Sequence, residues 1–158
     1  MKLALLLFIL LQAMASAAQH EVSSPDGNLK LSVAGGQVLE ISASYKGQPI
    51  LDRSVIGMTF REFNGNWATR KATPVAVDKT ILSPVPEKRK IIRDRYRQLT
   101  VHFRSRLALE LRAYDDGFAY RFVSSRKDSV TVGEETARYV LPGETTFYGS
   151  PVKKRDDA

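Results

Sequence analysis

Two pairs of adjacent carboxylates are the residues of this chain that first suggest chemistry. Asp115-Asp116 and Glu134-Glu135 each offer two acid groups, and hydrolysis of a glycosidic bond requires two carboxyl groups placed across one sugar. Neighbouring residues of a strand point to opposite faces, and neighbouring residues of a turn diverge. Neither pair by itself therefore forms a hydrolytic site. We interpret the first pair as part of a turn and the second as a solvated strand edge.

A basic run is the second group of residues that could bind something. Lys88-Arg89-Lys90, Arg93, Arg95 and Arg97 place six positive charges in ten positions. In a continuous strand Arg93, Arg95 and Arg97 share one face, and such a face suits a phosphate or a sulfate. An exposed edge strand, whose charges prevent aggregation with another sheet, explains the same run more simply. We therefore predict an edge strand here.

The remaining reactive residue types are scarce. The chain has no cysteine, which excludes thiol catalysis, thiolate metal sites and lipid attachment to an N-terminal cysteine. Its two histidines, His20 and His102, are too few for a structural zinc site without cysteine ligands. His102 lies between two apolar residues of an alternating run, which indicates a structural side chain. No nucleophile elbow, glycine-rich loop or metal-spaced cluster is visible, so we assign no catalytic, cofactor-binding or metal-binding residue.

The N-terminus has the organisation of a secretory signal peptide. Met1-Lys2 is positively charged, residues 3–11 are uninterrupted apolar residues, and small residues follow up to Ala18. As a helix, residues 3–11 would span roughly 14 Å, about half of a ~30 Å hydrocarbon core. We predict a signal peptide over residues 1–18, cleaved after Ala17 or Ala18, and a periplasmic or secreted protein without a membrane span.

The net charge of the chain restricts its partners. The formal charge is +7, from 24 Lys and Arg against 17 Asp and Glu, and removal of the signal peptide with Lys2 leaves +6. Such a balance suits nucleic acid or an anionic surface. Because an exported protein does not meet nucleic acid, we predict no nucleic-acid partner. Acidic glycans and anionic lipid head groups stay open as partners, and a solvated basic face is the simpler interpretation of the charge.

Hydrophobic alternation at period two dominates after the leader, and no stretch has the periodicity of an amphipathic helix. Turn signals separate the alternating runs, chiefly at Lys46-Gly47 and Asp115-Asp116-Gly117, where we expect Gly117 to supply a positive φ. Asn64-Gly65 is a further hairpin signal. Many short strands with these spacings predict an all-β antiparallel sandwich. The predicted strand segments are residues 29–33, 39–45, 50–51, 99–103, 107–113, 118–122, 130–132 and 139–141.

Four segments in unbroken order resemble the N-terminal domain of glycoside hydrolase family 97. They are residues 24–31 (SPDGNLKL), 44–51 (SYKGQPIL), 94–101 (DRYRQLTV) and 112–121 (RAYDDGFAYR). The last segment is the most specific, since it is similar to the family pattern R-x-Y-D-D-G-x-A-[FY]-R. It identifies Arg112, Tyr114, Asp115, Asp116, Gly117 and Arg121 as structural motif residues. We expect Arg112 and Arg121 to bracket the turn, with one of them bonded to a turn carboxylate.

The resemblance implies a role without chemistry for this chain. Members of the family are exported, exo-acting α-glycosidases in which a galactose-mutarotase-like β-super-sandwich precedes a (β/α)₈ barrel. The barrel carries the catalytic carboxylates, and a calcium ion sits in the active site. No ligand of that calcium and no catalytic residue has a counterpart here. The resemblance therefore implies a non-catalytic domain fragment that is inactive alone. An α-linked carbohydrate would bind to the catalytic barrel, which this chain lacks. The alternative is a stand-alone periplasmic carbohydrate-binding or interaction module.

The resemblance also sets the expected domain organisation. We expect the signal peptide to be followed by an incomplete N-terminal β-sandwich domain over residues 19–150 and by a polar tail over residues 151–158. The family's sandwich continues beyond this point, so we expect the short length to reflect a broken reading frame or an incomplete gene. Unpaired strand edges would then favour self-association.

Overall fold

The predicted all-β antiparallel sandwich is confirmed. The computed structural model describes residues 19–85 and 90–146, and in these ranges it contains nine strands in two antiparallel sheets and no helix. The leader predicted over residues 1–18 and the tail predicted over residues 151–158 lie outside the described residues. Within the described ranges, no helix is long and apolar enough to cross a membrane.

The first sheet has five strands and the second has four. The five-stranded sheet has the order β1-β2-β3-β4-β9, and the four-stranded sheet has the order β5-β6-β7-β8. The first contains β1 (Gln19–Ser23), β2 (Leu29–Gly35), β3 (Leu39–Tyr45), β4 (Gln48–Phe60) and β9 (Val132–Arg138). The second contains β5 (Thr69–Leu82), β6 (Ile91–Phe103), β7 (Leu107–Ala113) and β8 (Phe118–Ser124).

The core lies between the two sheets and follows the period-two alternation of the sequence. One inner face buries the alternate residues of β2 and β3, and the other buries those of β6 and β7, since successive residues of a strand point to opposite faces. Trp67, in the connection between the sheets, closes one end of this core. Its ring meets that of Phe103 edge-on with centroids 5.3 Å apart. The other buried residues include Leu31, Val33, Leu39, Ile41, Ile56, Leu99, Val101, Leu109 and Leu111.

The two sheets are offset. Strands β1 and β2 pack on β6 and β7. Counting outward from these strands in each sheet, β4 and β9 lie beyond β8, which is the edge strand of the four-stranded sheet. Strand β9 is exposed along its whole length. As far as residues 19–85 and 90–146 show, the sandwich is therefore open on the side where β8 and β9 lie.

A two-stranded ribbon projects from the four-stranded sheet. Strands β5 and β6 pair as far as Leu82 opposite Ile91, and the Ser83 N–H donates to the Lys90 carbonyl at 2.9 Å. Strand β7 pairs with β6 only from Arg97 to His102. Residues 77–83 and 90–96, which we call the arm, thus lack a third strand in the described part of the chain. Seven residues at about 3.3 Å each give the arm a length of roughly 20 Å.

The arm changes the interpretation of the basic run. As predicted, Arg93, Arg95 and Arg97 share one face, because the pairing of β6 is continuous through them. The prediction of an edge strand is wrong for the sheet as a whole, since β6 lies between β5 and β7. Arg93 and Arg95 nevertheless lie in the arm, where one side of β6 is unpaired within the described residues.

Two local predictions are wrong, and one long strand was not predicted. Asn64-Gly65 does not form a hairpin, because it connects β4 and β5, which belong to different sheets. Residues 139–141 continue alongside β4 through the bond from the Asp52 N–H to the Val140 carbonyl, but they are not a strand. Strand β5 was not expected, since most of it is exposed on both faces and shows no clear alternation.

Candidate functional site

The turn between β7 and β8 has the predicted position but not the predicted conformation. The Tyr114 N–H donates to the Gly117 carbonyl at 2.8 Å, and the chain reverses over Asp115 and Asp116. Gly117 is not among the residues of positive φ, and a Cβ atom on it would meet nothing within 4 Å. The expectation that Gly117 supplies a left-handed conformation is therefore wrong, because the reversal is completed without one.

Asp115 connects the two sheets. Its Oδ1 accepts a hydrogen bond from the Asp26 N–H at 2.9 Å, although the two residues are 89 positions apart. Its Oδ2 lies 3.5 Å from Nη1 of Arg95 in the arm. Asp26 belongs to the β1–β2 loop of the five-stranded sheet, whereas Asp115 and Arg95 belong to the four-stranded sheet. We call these three residues the clamp, because Asp115 joins one end of the sandwich and the arm.

The loop that presents Asp26 is itself ordered by side-chain hydrogen bonds. The Ser24 hydroxyl and the Asn28 N–H both donate to Asp26 Oδ1, and Asn28 Nδ2 donates to Oδ2 at 2.7 Å. The Ser24 hydroxyl also accepts from the Leu29 N–H at 3.0 Å. The bonds from Ser24 and then from Asn28 lower the pKa of Asp26 to about 2. The Asp26 side chain is therefore ionised at neutral pH. Its hydrogen bonds hold the loop in the conformation in which the Asp26 N–H donates to Asp115.

The two motif arginines make contacts away from the turn carboxylates. Arg112 donates from Nε to Gln98 Oε1 at 2.8 Å, and its guanidinium lies 4.5 Å from the centre of the Tyr96 ring. Arg121 donates from Nε to Glu110 Oε2 at 2.7 Å. The prediction that one of them bonds to a turn carboxylate is wrong, since Arg95 takes that position. Tyr114, whose ring lies 5.1 Å from that of Tyr96, extends the arginine–tyrosine stack.

An apolar groove runs along the open side of the sandwich, beginning at the turn. It consists of two adjoining cavities of about 450 and 670 Å³ that share Ile50 and Phe118. We call them together the groove. Carboxylates lie along it, and among the described residues no basic side chain lines it. The other lining residues are Leu29, Tyr45, Leu51, Asp115, Asp116, Gly117, Ala119, Tyr120, Glu135, Tyr139 and Leu141.

Two of the three tyrosines that line the groove, Tyr120 and Tyr139, are hydrogen-bonded to each other. The hydroxyl oxygens of Tyr120 and Tyr139 lie 2.9 Å apart. Burial, and then the bond to Tyr139, raise the pKa of Tyr120 well above its usual value. Tyr120 therefore stays neutral at any physiological pH, and its hydroxyl together with that of Tyr139 adds a polar contact to the mainly apolar wall.

The arrangement is suited to contact rather than to catalysis. Asp115 is occupied by the clamp, while Asp116 and Glu135 are exposed and lie in different cavities of the groove. Among the described residues, no group of three or more His, Cys, Asp or Glu side chains could hold a metal ion. The calcium ion that the family resemblance implies has no fitting donor set in these ranges.

The sequence did not point to most of this site. The motif residues of the turn were identified, but Asp26, Arg95 and the groove tyrosines were not connected with it. One signal was present, since Ser-x-Asp-Gly-Asn is a sequence typical of a turn stabilised by its own side chains.

Comparisons with known proteins agree with the fold. The model of the family described as "Glycosyl-hydrolase 97 N-terminal" matches residues 22–158. A curated relative, the retaining alpha-galactosidase of Bacteroides thetaiotaomicron, is 34% identical over 161 residues, which cover 99% of this chain and 24% of the relative. The chain thus spans about a quarter of the length of this relative.

Solved structures have the same fold at lower sequence identity. A glycoside hydrolase family 97 enzyme from Pseudoalteromonas sp. strain K8, in complex with panose, superposes with a TM-score of 0.65 at 18% identity over 78% of this chain and 20% of its own. A β-arabinopyranosidase superposes with a TM-score of 0.69 at 23% identity over 78% of this chain and 21% of its own. Because the family model matches most of the chain, this chain belongs to the glycosyl-hydrolase 97 N-terminal family.

Proposed function

We propose that the chain is the non-catalytic N-terminal domain portion of an exported family 97 α-glycosidase. The observation that carries this proposal is the family match over residues 22–158, combined with a relative of which the chain covers 24%. The name of that relative, a retaining alpha-galactosidase, supports an α-linked carbohydrate as the substrate of the whole enzyme. The leader over residues 1–18 supports export to the periplasm or the medium.

The structure supports a scaffold role for this portion. The two sheets enclose one core, which Trp67 closes at one end, and the strand edges and the arm of this sandwich can support further polypeptide. The clamp holds the arm against the sandwich. The exposed carboxylates of the groove lack the apolar enclosure that raises the pKa of a general acid in a glycosidase. The acid and base groups of the enzyme are therefore proposed to lie in the catalytic barrel, and its calcium-binding groups in parts of the enzyme other than this chain.

A chimaera tests this proposal. The matched N-terminal segment of the Bacteroides thetaiotaomicron enzyme is replaced by this chain, and hydrolysis of an aryl α-galactoside is measured. We expect activity from the chimaera and none from this chain alone or from the relative without its N-terminal segment. Turnover by the purified chain alone, or a folded chimaera without activity, contradicts the proposal.

A second candidate function is a stand-alone carbohydrate-binding module. The groove favours it, because Phe118, Tyr120 and Tyr139 form an aromatic wall with nearby carboxylates, and ligand sites are mostly apolar with a few polar groups. Calorimetric titration of the chain with α-linked oligosaccharides distinguishes the two functions. Binding that Tyr139→Ala abolishes supports the module, and absence of binding supports the scaffold.

A further inference from the structure

The tip of the arm is apolar on both of its faces. Ile81 lies directly opposite Ile92, and Leu82 lies directly opposite Ile91. Since directly opposed residues of an antiparallel pair share a face and successive residues alternate, the two pairs cover opposite faces of the ribbon. These side chains are 39–67% exposed. An exposed apolar cluster on a projecting element is typical of an interaction site.

The arm and the groove have opposite charges. The arm contains Lys79, Lys90, Arg93 and Arg95 against Asp78 and Asp94, and the groove contains Asp115, Asp116 and Glu135. Arg95 and Asp115 already pair within one molecule. Without Arg95, the arm has three cations and two anions and a net charge of +1. Without Asp115, the groove has two carboxylates and a net charge of −2. An apolar element with positive charge thus matches an apolar groove with negative charge.

The position of the clamp makes a closed pair of molecules geometrically feasible. The ion pair between Arg95 and Asp115 places the base of the arm beside the end of the groove in the same molecule. When two complementary surfaces are neighbours, one two-fold axis can bring each arm to the groove of the other copy at the same time. Such an interface is isologous and does not extend into a filament.

We propose that two copies of this chain associate by reciprocal insertion of the arm tip into the groove. Ile81, Leu82, Ile91 and Ile92 of one copy enter the groove of the other, and the pair on one face of the ribbon contacts the apolar wall around Phe118. Lys90 then approaches the carboxylates along the groove, whereas Arg93 stays bonded to Asp78 of its own arm. This interface goes beyond the proposed scaffold function, and it differs from the strand-edge pairing that the sequence suggested because it uses side chains rather than main-chain groups.

Sedimentation velocity of the full chain tests the interface over a range of concentrations. Leu82→Asp in the arm and Ile50→Asp in the groove are each expected to weaken dimerisation by at least about tenfold. Val38→Asp is the matched control, because Val38 is 51% exposed and lies outside both surfaces. Far-ultraviolet circular dichroism verifies the fold of each variant, and Leu82→Gln and Ile50→Gln replace any aspartate variant that unfolds.

A mixing experiment separates this interface from strand-edge pairing. An equimolar mixture of the arm variant and the groove variant retains one of the two contacts, so we expect it to dimerise more strongly than either variant alone. Because the chain has no cysteine, Leu82→Cys and Ile50→Cys variants can also be mixed and oxidised, with a mixed crosslinked dimer expected. A monomeric wild-type chain at about 100 µM, or a dimer that neither variant weakens, overturns the proposal.

Discussion

Asp115→Ala removes the centre of the clamp, and its cost can be estimated from the contacts. The variant loses the acceptor of the Asp26 N–H and the partner of Arg95. A hydrogen bond to a charged acceptor is worth about 1.5–3 kcal/mol when it is sheltered, and an exposed ion pair at most about 1 kcal/mol. Because the side chains of Asp115 and Arg95 are each 39% exposed, we discount both and expect a loss of about 1–2 kcal/mol in the free energy of unfolding. The melting temperature should fall by roughly 3–8 °C.

Urea unfolding followed by tryptophan fluorescence measures this loss, since Trp67 reports on the core. Asp116→Ala is the matched control, because it changes the adjacent turn residue without touching the clamp, and we expect it to stay within about 0.5 kcal/mol of the wild type. A double-mutant cycle with Arg95→Ala should assign less than about 1 kcal/mol to the ion pair and the remainder to the Asp26 bond. Equal costs for Asp115→Ala and Asp116→Ala would refute the clamp.

Gly35→Ala should cost about 1–3 kcal/mol in a denaturant melt, because its Cβ would lie 2.2 Å from the Trp67 carbonyl oxygen. Gly36→Ala has open space, and a similar cost there would contradict the steric reason. Gly117→Ala should change stability by less than about 0.5 kcal/mol, and a loss above about 1 kcal/mol would indicate a left-handed residue after all. Since the folded pKa of Asp26 is depressed to about 2, its contribution is complete above the ordinary pKa of an aspartate and is lost as the pH falls through 2. Acid titration of the melting temperature between about pH 5 and 2 should therefore be shallower for Asp26→Asn, and identical slopes would count against this role.

The sequence predicted most clearly those strands whose alternate residues pack into the core, fully in β7 and partly in β8. Strand β7 alternates cleanly because it lies within the four-stranded sheet and under the other sheet. Strand β5 was missed because it is an edge strand that continues into the arm, where its residues other than the half-buried Val77 are exposed and no alternation is imposed. Pro74 is tolerated in β5 for the same reason, since an edge position does not require its missing N–H.

The candidate site was only partly predictable, because its residues meet through the tertiary fold. The turn was visible in the sequence as Asp115-Asp116-Gly117, but its partner Asp26 lies 89 positions away. Arg95 looked like one member of a basic run, and only the pairing of β6 brings it to Asp115. The groove arises from the offset of the two sheets, which no local pattern encodes.

The pairing of β9 with β4 delays completion of the five-stranded sheet during synthesis. Phe60 pairs with Val132, so the ribosome adds 71 residues, 61–131, between the two partners. At about 5–20 residues per second, β4 waits roughly 4–14 s with one unpaired edge while the whole second sheet emerges. Pairings of such high sequence separation also fold slowly, in the millisecond-to-second range. Slower translation of residues 61–131 should therefore lengthen the period in which the β4 edge can pair with another nascent chain, and should lower the soluble yield.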